Sequence, residues 1–194
     1  MSKSTNSVLQ GLESGRTTQL FEIIYSDLSG KQVTPTYGNS LYYIIFIDDY
    51  TRMVWIFFLK NKSDTSKVIQ EFITYVERQF KTTVLCMITD NGGEYIEAEV
   101  NKFFRSKGIR YLYTPPYSHQ LNGVSERYNR TIQTMVRGML IDYPDQHLWG
   151  EACQVAVYLQ NRLPHSQLPQ KKTPFEMLYQ KQPSIGIYTK YQHF

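Results

Sequence analysis

Two seven-residue runs dominated by aliphatic and aromatic side chains, LYYIIFI (41–47) and MVWIFFL (53–59), flank the polar segment DDYTR (48–52). A stretch that is apolar at successive positions, not alternate ones, has no side to offer to water. Strands of this kind need cover on both faces, so the pair reads as a hairpin inside a sheet with helices packed above and below. Seven residues also fall far short of the roughly 20 that span a bilayer as a helix, so no membrane segment is expected.

The rest of the chain supplies that cover. FEIIYSDLSG (21–30) reads as a strand preceding the hairpin, and VLCMIT (84–89) and IRYLY (109–113) as two more. Between them Val68, Ile69, Phe72, Ile73, Val76 and Phe80 recur at helical spacing, with Ser63 or Asp64 available as the cap. A second helix is expected over Glu97–Ser106, stopped by Gly108. The segment TPPYSHQLNG (114–123) reads as an exposed, mobile loop. After Gly123, Tyr128, Ile132, Met135, Val136, Met139 and Leu140 form the longest helical stripe, and further helices are expected at about 147–162 and 172–180. The fold class is α/β: a mixed five-stranded sheet with helices on both faces.

Composition sets outer limits. The 194 residues suit one domain, and 28 aromatic residues (16 Tyr, 10 Phe, 2 Trp) leave ample material for its core. Cys86 and Cys153, the two cysteines, form no CxxC pair and no disulfide framework. The N-terminal residues are polar and lack the apolar core of a secretory signal, and no targeting segment is legible. A net charge of +4, spread without a basic tail, permits a polyanionic partner but does not require one.

Three carboxylates stand where chemistry could use them. Asp27 lies towards the end of the first strand, Asp90 directly after a buried one, and Glu126 at the start of the long helix on its polar side. Oxygen ligands with no neighbouring His or Cys suit Mg²⁺ or Mn²⁺, not zinc. Asp27 and Asp90 are separated by 62 residues, Asp90 and Glu126 by 35.

That spacing resembles the Asp, Asp-35-Glu signature of retroviral and retrotransposon integrases. The surrounding words are similar to the copia-type family: YSDLSG (25–30), FIDDYTR (46–52), TDNGGEY (89–95), PYSHQLNGVSERYNRT (116–131), LWGEACQVAVYLQNR (148–162) and KTPFEML (172–178). The resemblance implies an RNase H-like fold, with a flexible lead-in over 1–17, an integrase catalytic core over 18–182 and a C-terminal extension over 183–194. It implies that Asp27, Asp90 and Glu126 are catalytic and hold two Mg²⁺ or Mn²⁺ ions, with Asp27 bridging both. Such a pair, about 4 Å apart, activates the attacking hydroxyl and stabilises the leaving oxygen. The implied reaction is 3′-end processing of element DNA followed by strand transfer into target DNA. The implied partners are those two DNAs and further copies of the chain. Integration would occur in the nucleus, after particle assembly in the cytoplasm. His119, Gln120 and Asn122 in the loop, and Asn129, Arg130 and Gln133 on the helix, are the expected DNA contacts, directed at the backbone.

Plainer readings account for the other candidates. Asp48 and Asp49 read as a hairpin turn, Glu94 as a surface charge near the site, and Arg127 as an ion-pair partner that orients the helix. Cys86 and Cys153 read as small core residues, and the aromatic segment 41–58 as core. The family's N-terminal zinc module has no counterpart among the four His (119, 147, 165, 193) and two Cys, so no zinc site is expected in this chain. GKQVTPT (30–36) replaces the Gly-Pro usual after the first catalytic strand, in a loop where the core should tolerate it. The alternative function is a degenerate or domesticated remnant that binds nucleic acid without integrating.

Overall fold

The computed structural model describes residues 17–89, 98–113, 119–142 and 144–184, with side chains throughout except at 113 and 119–122. Strands β1 (Ile23–Leu28), β2 (Tyr42–Asp48) and β3 (Val54–Leu59) form an antiparallel meander. Strands β4 (Cys86–Thr89) and β5 (Arg110–Tyr113) add in parallel on the other side of β1. The five strands run in the order β3-β2-β1-β4-β5, so β1 is central. Helix α1 (Thr65–Phe80) leads from β3 to β4 and α2 (Ala98–Lys107) from β4 to β5; α3 (His119–Asp142), α4 (Trp149–Gln160) and α5 (Pro174–Tyr179) follow.

The continuous apolar runs resolve into two faces by the period of the pleat. Ile24, Ile44, Phe46 and Met87 point one way, against Ile69, Phe72, Ile73 and Val76 of α1 and Val100 and Phe104 of α2. Phe46 and Phe72 stack there with ring centroids 4.1 Å apart. Ile23, Tyr25, Tyr43, Ile45, Ile47, Val54, Cys86 and Ile88 point the other way, against Tyr128 and Ile132 of α3 and Trp149, Cys153 and Ala156 of α4. Each fully buried large side chain contributes roughly 1.5–3 kcal/mol, which is why both layers are needed.

Helix ends follow local chemistry. Lys81 closes α1 in a left-handed conformation (φ 51°), and Gly108 (φ 69°) follows α2. Thr173 and Glu176 cap α5 reciprocally: the Glu176 N–H donates to Thr173 Oγ1 (3.0 Å) and the Thr173 N–H to Glu176 Oε2 (2.8 Å). Helix α3 begins at His119, so the expected loop is shorter than its sequence suggests, and residues 119–123 are helical. One internal glycine costs a helix only about 1 kcal/mol relative to alanine, too little to break a continuous pattern.

The turn reading of Asp48 and Asp49 captures only part of what they do. Both are buried, at 0% and 3% exposure. Asp48 Oδ1 accepts from the Phe21 N–H (2.8 Å), and its Oδ2 from the Thr51 N–H (2.9 Å) and hydroxyl (2.6 Å). Asp49 Oδ2 accepts from the backbone and hydroxyl of Thr17, while its Oδ1 lies 3.0 Å from Arg52 Nη1. The Arg52 carbonyl in turn accepts from the Tyr128 hydroxyl of α3 (3.0 Å). The hairpin tip is thus a buried polar knot tying the chain before β1, the turn and the long helix together.

Two contacts anchor the periphery. On edge strand β3, the Val54 N–H donates to Asn161 Oδ1 and the Val54 carbonyl accepts from Asn161 Nδ2, both at 2.8 Å. The β1–β2 loop is docked as well as tolerated. Its Thr34 carbonyl accepts from the Trp149 indole (2.8 Å), and a Cβ on Gly150 would lie 2.7 Å from the Thr36 methyl.

Candidate active site

Strand β1 sets the site's position. Its parallel register with β4 ends where Ser26 sits opposite Thr89, and these residues immediately precede Asp27 and Asp90 in the chain. The carboxyl ends of adjacent parallel strands are where open α/β sheets present functional groups. The pleat that sends Ile23 and Tyr25 towards α3 and α4 sends Asp27 the same way.

Helix α3 lies over that end with a divided surface. Ser125, Tyr128, Asn129 and Ile132 are buried, whereas Glu126, Arg130 and Gln133 are exposed. Asn129 Nδ2 donates to Asp27 Oδ2, joining the helix to the central strand. Asn129 Oδ1 accepts from the Tyr43 hydroxyl (3.2 Å), whose oxygen accepts from Gln133 Nε2 (3.4 Å). A single polar chain therefore runs from the outer face of α3 through β2 to the Asp27 carboxylate. Burial pushes the Tyr43 phenol up to about 12, so it remains a protonated donor.

Of the residues singled out from the sequence, Asp27 and Glu126 are brought to the same end of the fold, Glu126 one helical turn before Asn129. Asp90 lies outside the described residues. His119, Gln120 and Asn122 form the first turn of α3, and their side chains lie outside the described set. Arg130 is exposed on the helix. Asn129, expected to face phosphates, is 9% exposed and turned to Asp27 and Tyr43. Tyr43 was not anticipated, because its nearness to Asp27 depends on the hairpin register. Asp27 pairs with Ile45, which makes Tyr43 a diagonal neighbour on the same face.

The donor set fits a hard cation. Asp27 and Glu126 offer oxygen only, as Mg²⁺ and Mn²⁺ prefer. Among the described residues no group of three or more His, Cys, Asp and Glu side chains is placed to hold a metal ion, and Asp90 is not among them. The two thiols are remote from such a role: burial pushes Cys86 and Cys153 up to about 12, leaving both protonated.

The integrase core domain model matches residues 21–119, about half of the chain. The chain belongs to the integrase core family. Its sequence is 40% identical over 152 residues to the retrovirus-related Pol polyprotein from transposon TNT 1-94 of Nicotiana tabacum, covering 78% of this chain and 11% of that protein. It is 35% identical over 170 residues to the corresponding polyprotein from transposon RE1 of Arabidopsis thaliana, covering 87% and 11%. The integrase core is thus of the copia-type LTR retrotransposon kind, and it spans about a tenth of these relatives' length. Among solved structures, an integrase core resembles a chain of the simian T-cell lymphotropic virus intasome in complex with a PP2A regulatory subunit (TM-score 0.65, 22% identity, 88% of this chain and 58% of that one). It also resembles the HTLV-2 integrase catalytic core domain in complex with magnesium, trimeric form (TM-score 0.60, 20% identity, 84% and 99%). The fold of this integrase core is RNase H-like.

Proposed function

We propose that this integrase core catalyses divalent-metal-dependent phosphoryl transfer on DNA: processing of element 3′ ends, then strand transfer into target DNA. The observation that supports it most is the bond from Asn129 to Asp27, which lays the polar face of α3, with Glu126 one turn away, over the end of the central strand. Asp27, Asp90 and Glu126 are the carboxylates that would hold Mg²⁺ or Mn²⁺, in keeping with the magnesium named with the HTLV-2 core. When bound, two such ions lower the pKa of the attacking water or 3′-hydroxyl and stabilise the leaving oxygen. Without them, three gathered carboxylates would repel one another and turn DNA away.

The remaining residues prepare the approach of DNA. Arg130 is exposed one helical turn from Glu126, a suitable place for a guanidinium to meet a phosphate. His119, Gln120 and Asn122 lie in the first turn of the same helix and would meet the same strand. Asn129 is turned inward to Asp27, whereas Arg130 and Gln133 are exposed on the helix, so these two would carry the backbone contact. Self-association and a nuclear site of action belong to this reading, the first in keeping with the trimeric form named for the HTLV-2 core.

The test is resolution of a branched DNA that mimics the strand-transfer product, with Mn²⁺ or Mg²⁺. Wild type should resolve it, and Asp27→Asn, Asp90→Asn and Glu126→Gln should each lose the activity while keeping their thermal midpoints. Activity surviving in one of them removes that residue from the site. A folded wild-type chain that binds the branch and never resolves it returns the reading of a nucleic-acid-binding remnant.

A further inference from the structure

We propose that Tyr43 is a positioning residue for Asp27, acting through the Asn129 carboxamide, and that Asn129 serves the carboxylate and not the DNA backbone. The proposal deepens the metal-dependent reading of the same site and rests on it.

The direction of every hydrogen bond in the chain follows from its last member. An ionised carboxylate only accepts, so the Asn129 amide must turn its NH₂ towards Asp27 and its carbonyl oxygen away. That oxygen needs a donor, and the Tyr43 hydroxyl provides one at 3.2 Å. Having spent its proton there, the Tyr43 oxygen accepts from Gln133 Nε2 at 3.4 Å. A carboxamide flipped by half a turn would set oxygen against carboxylate and NH₂ against the hydroxyl. Tyr43 selects against that flip. Tyr43 and Asn129 are 2% and 9% exposed, so water is poorly placed to substitute for either.

The consequence concerns the plane of the Asp27 carboxylate. An N–H held against Oδ2 limits rotation about the side chain, and so fixes the direction in which the group offers lone pairs to a cation. Partners of this kind, bonded to ligands and not to the ion, are commonly worth 10- to 100-fold in metal affinity. Tyr43 belongs to a strand whose other inward residues, Ile45 and Ile47, are aliphatic core. Packing alone would be served by phenylalanine at this position; the hydroxyl has a separate use.

Tyr43→Phe removes the oxygen and keeps the ring. It should weaken Mn²⁺ binding, followed by calorimetry, by about tenfold. The Mg²⁺ concentration for half-maximal branch resolution should rise by a similar factor, while unfolding stays cooperative, with a midpoint lowered by no more than the loss of one buried hydrogen bond, and DNA affinity in EDTA stays at the wild-type value. Asn129→Ala should lose at least as much. Because the two residues act in series, the double variant should bind Mn²⁺ no more weakly than Asn129→Ala alone. Wild-type Mn²⁺ affinity in Tyr43→Phe, or additive losses in the double variant, overturns the assignment of Tyr43. A wild-type chain that binds Mn²⁺ without resolving the branch overturns the function instead, and the calorimetry still judges Tyr43. A wild-type chain that binds no Mn²⁺ overturns both.

Discussion

Asp48 holds a carboxylate at 0% exposure among backbone and hydroxyl donors. Burial pushes its carboxyl up to about 6, against the pull of the bonds from Thr51 and Phe21 and with a further push from neighbouring Asp49. The unfolded chain releases this proton near the ordinary carboxylate value. Between about pH 4 and pH 6 the folded state therefore binds more protons, and stability falls as pH rises through that window. A gap of about two units corresponds to about 3 kcal/mol. Thermal midpoints measured from pH 4.5 to 7 should decline for wild type more than for Asp48→Asn; identical profiles would show that the group does not titrate differently on folding. At this scale the sequence placed Asp27 towards a strand end and Glu126 on the polar side of the long helix, as in the structure, although Glu126 lies about two turns inside that helix and not at its start. It did not reveal that Asn129 is buried against Asp27, or that Tyr43 supports it. Both depend on which residue of β2 faces which residue of β1, and a one-residue change in register would have sent Tyr43 to the other face.

Among the elements, edge strand β3 has a defined partner at Val54. The Asn161 carboxamide pairs with both polar backbone groups of that residue, as a neighbouring strand would. Asn161→Ala would leave a buried N–H and a buried carbonyl without partners, each costing about 1–3 kcal/mol. We expect a loss of about 3 kcal/mol in urea unfolding with metal binding unchanged; a loss under 1 kcal/mol would mean that water reaches Val54. The sequence words that mark the family are in good part words about such joints. In LWGEACQVAVYLQNR, Trp149 holds the Thr34 carbonyl, Gly150 admits the Thr36 methyl and Asn161 completes the edge. In KTPFEML, Thr173 and Glu176 form the reciprocal cap that starts the last helix. Helices were legible from the 3.6-residue period of their apolar stripes, and strands from short, nearly continuous apolar runs bounded by turn residues. The start of α3 was not, since Asn122-Gly123 has the composition of a turn and sits inside a helix.

For the molecule as a whole, the decisive property is that one sheet serves two cores. The integrase core domain match ends at residue 119, where α3 begins, yet α3 and α4 cover an entire face of the sheet. A chain ending at residue 118 keeps all five strands and the helices of the first face, and should nonetheless be insoluble or bind hydrophobic dyes strongly. A soluble, cooperatively unfolding product of that length would show that the second core is dispensable. The same division bears on how the protein is made. During synthesis the last strand is complete at Tyr113, while the residues that cover Ile23, Ile45, Ile47 and Ile88 are still being translated, up to Ala156 on α4. For that interval the nascent sheet presents a bare aliphatic surface, exposed to any apolar partner before its own second layer arrives.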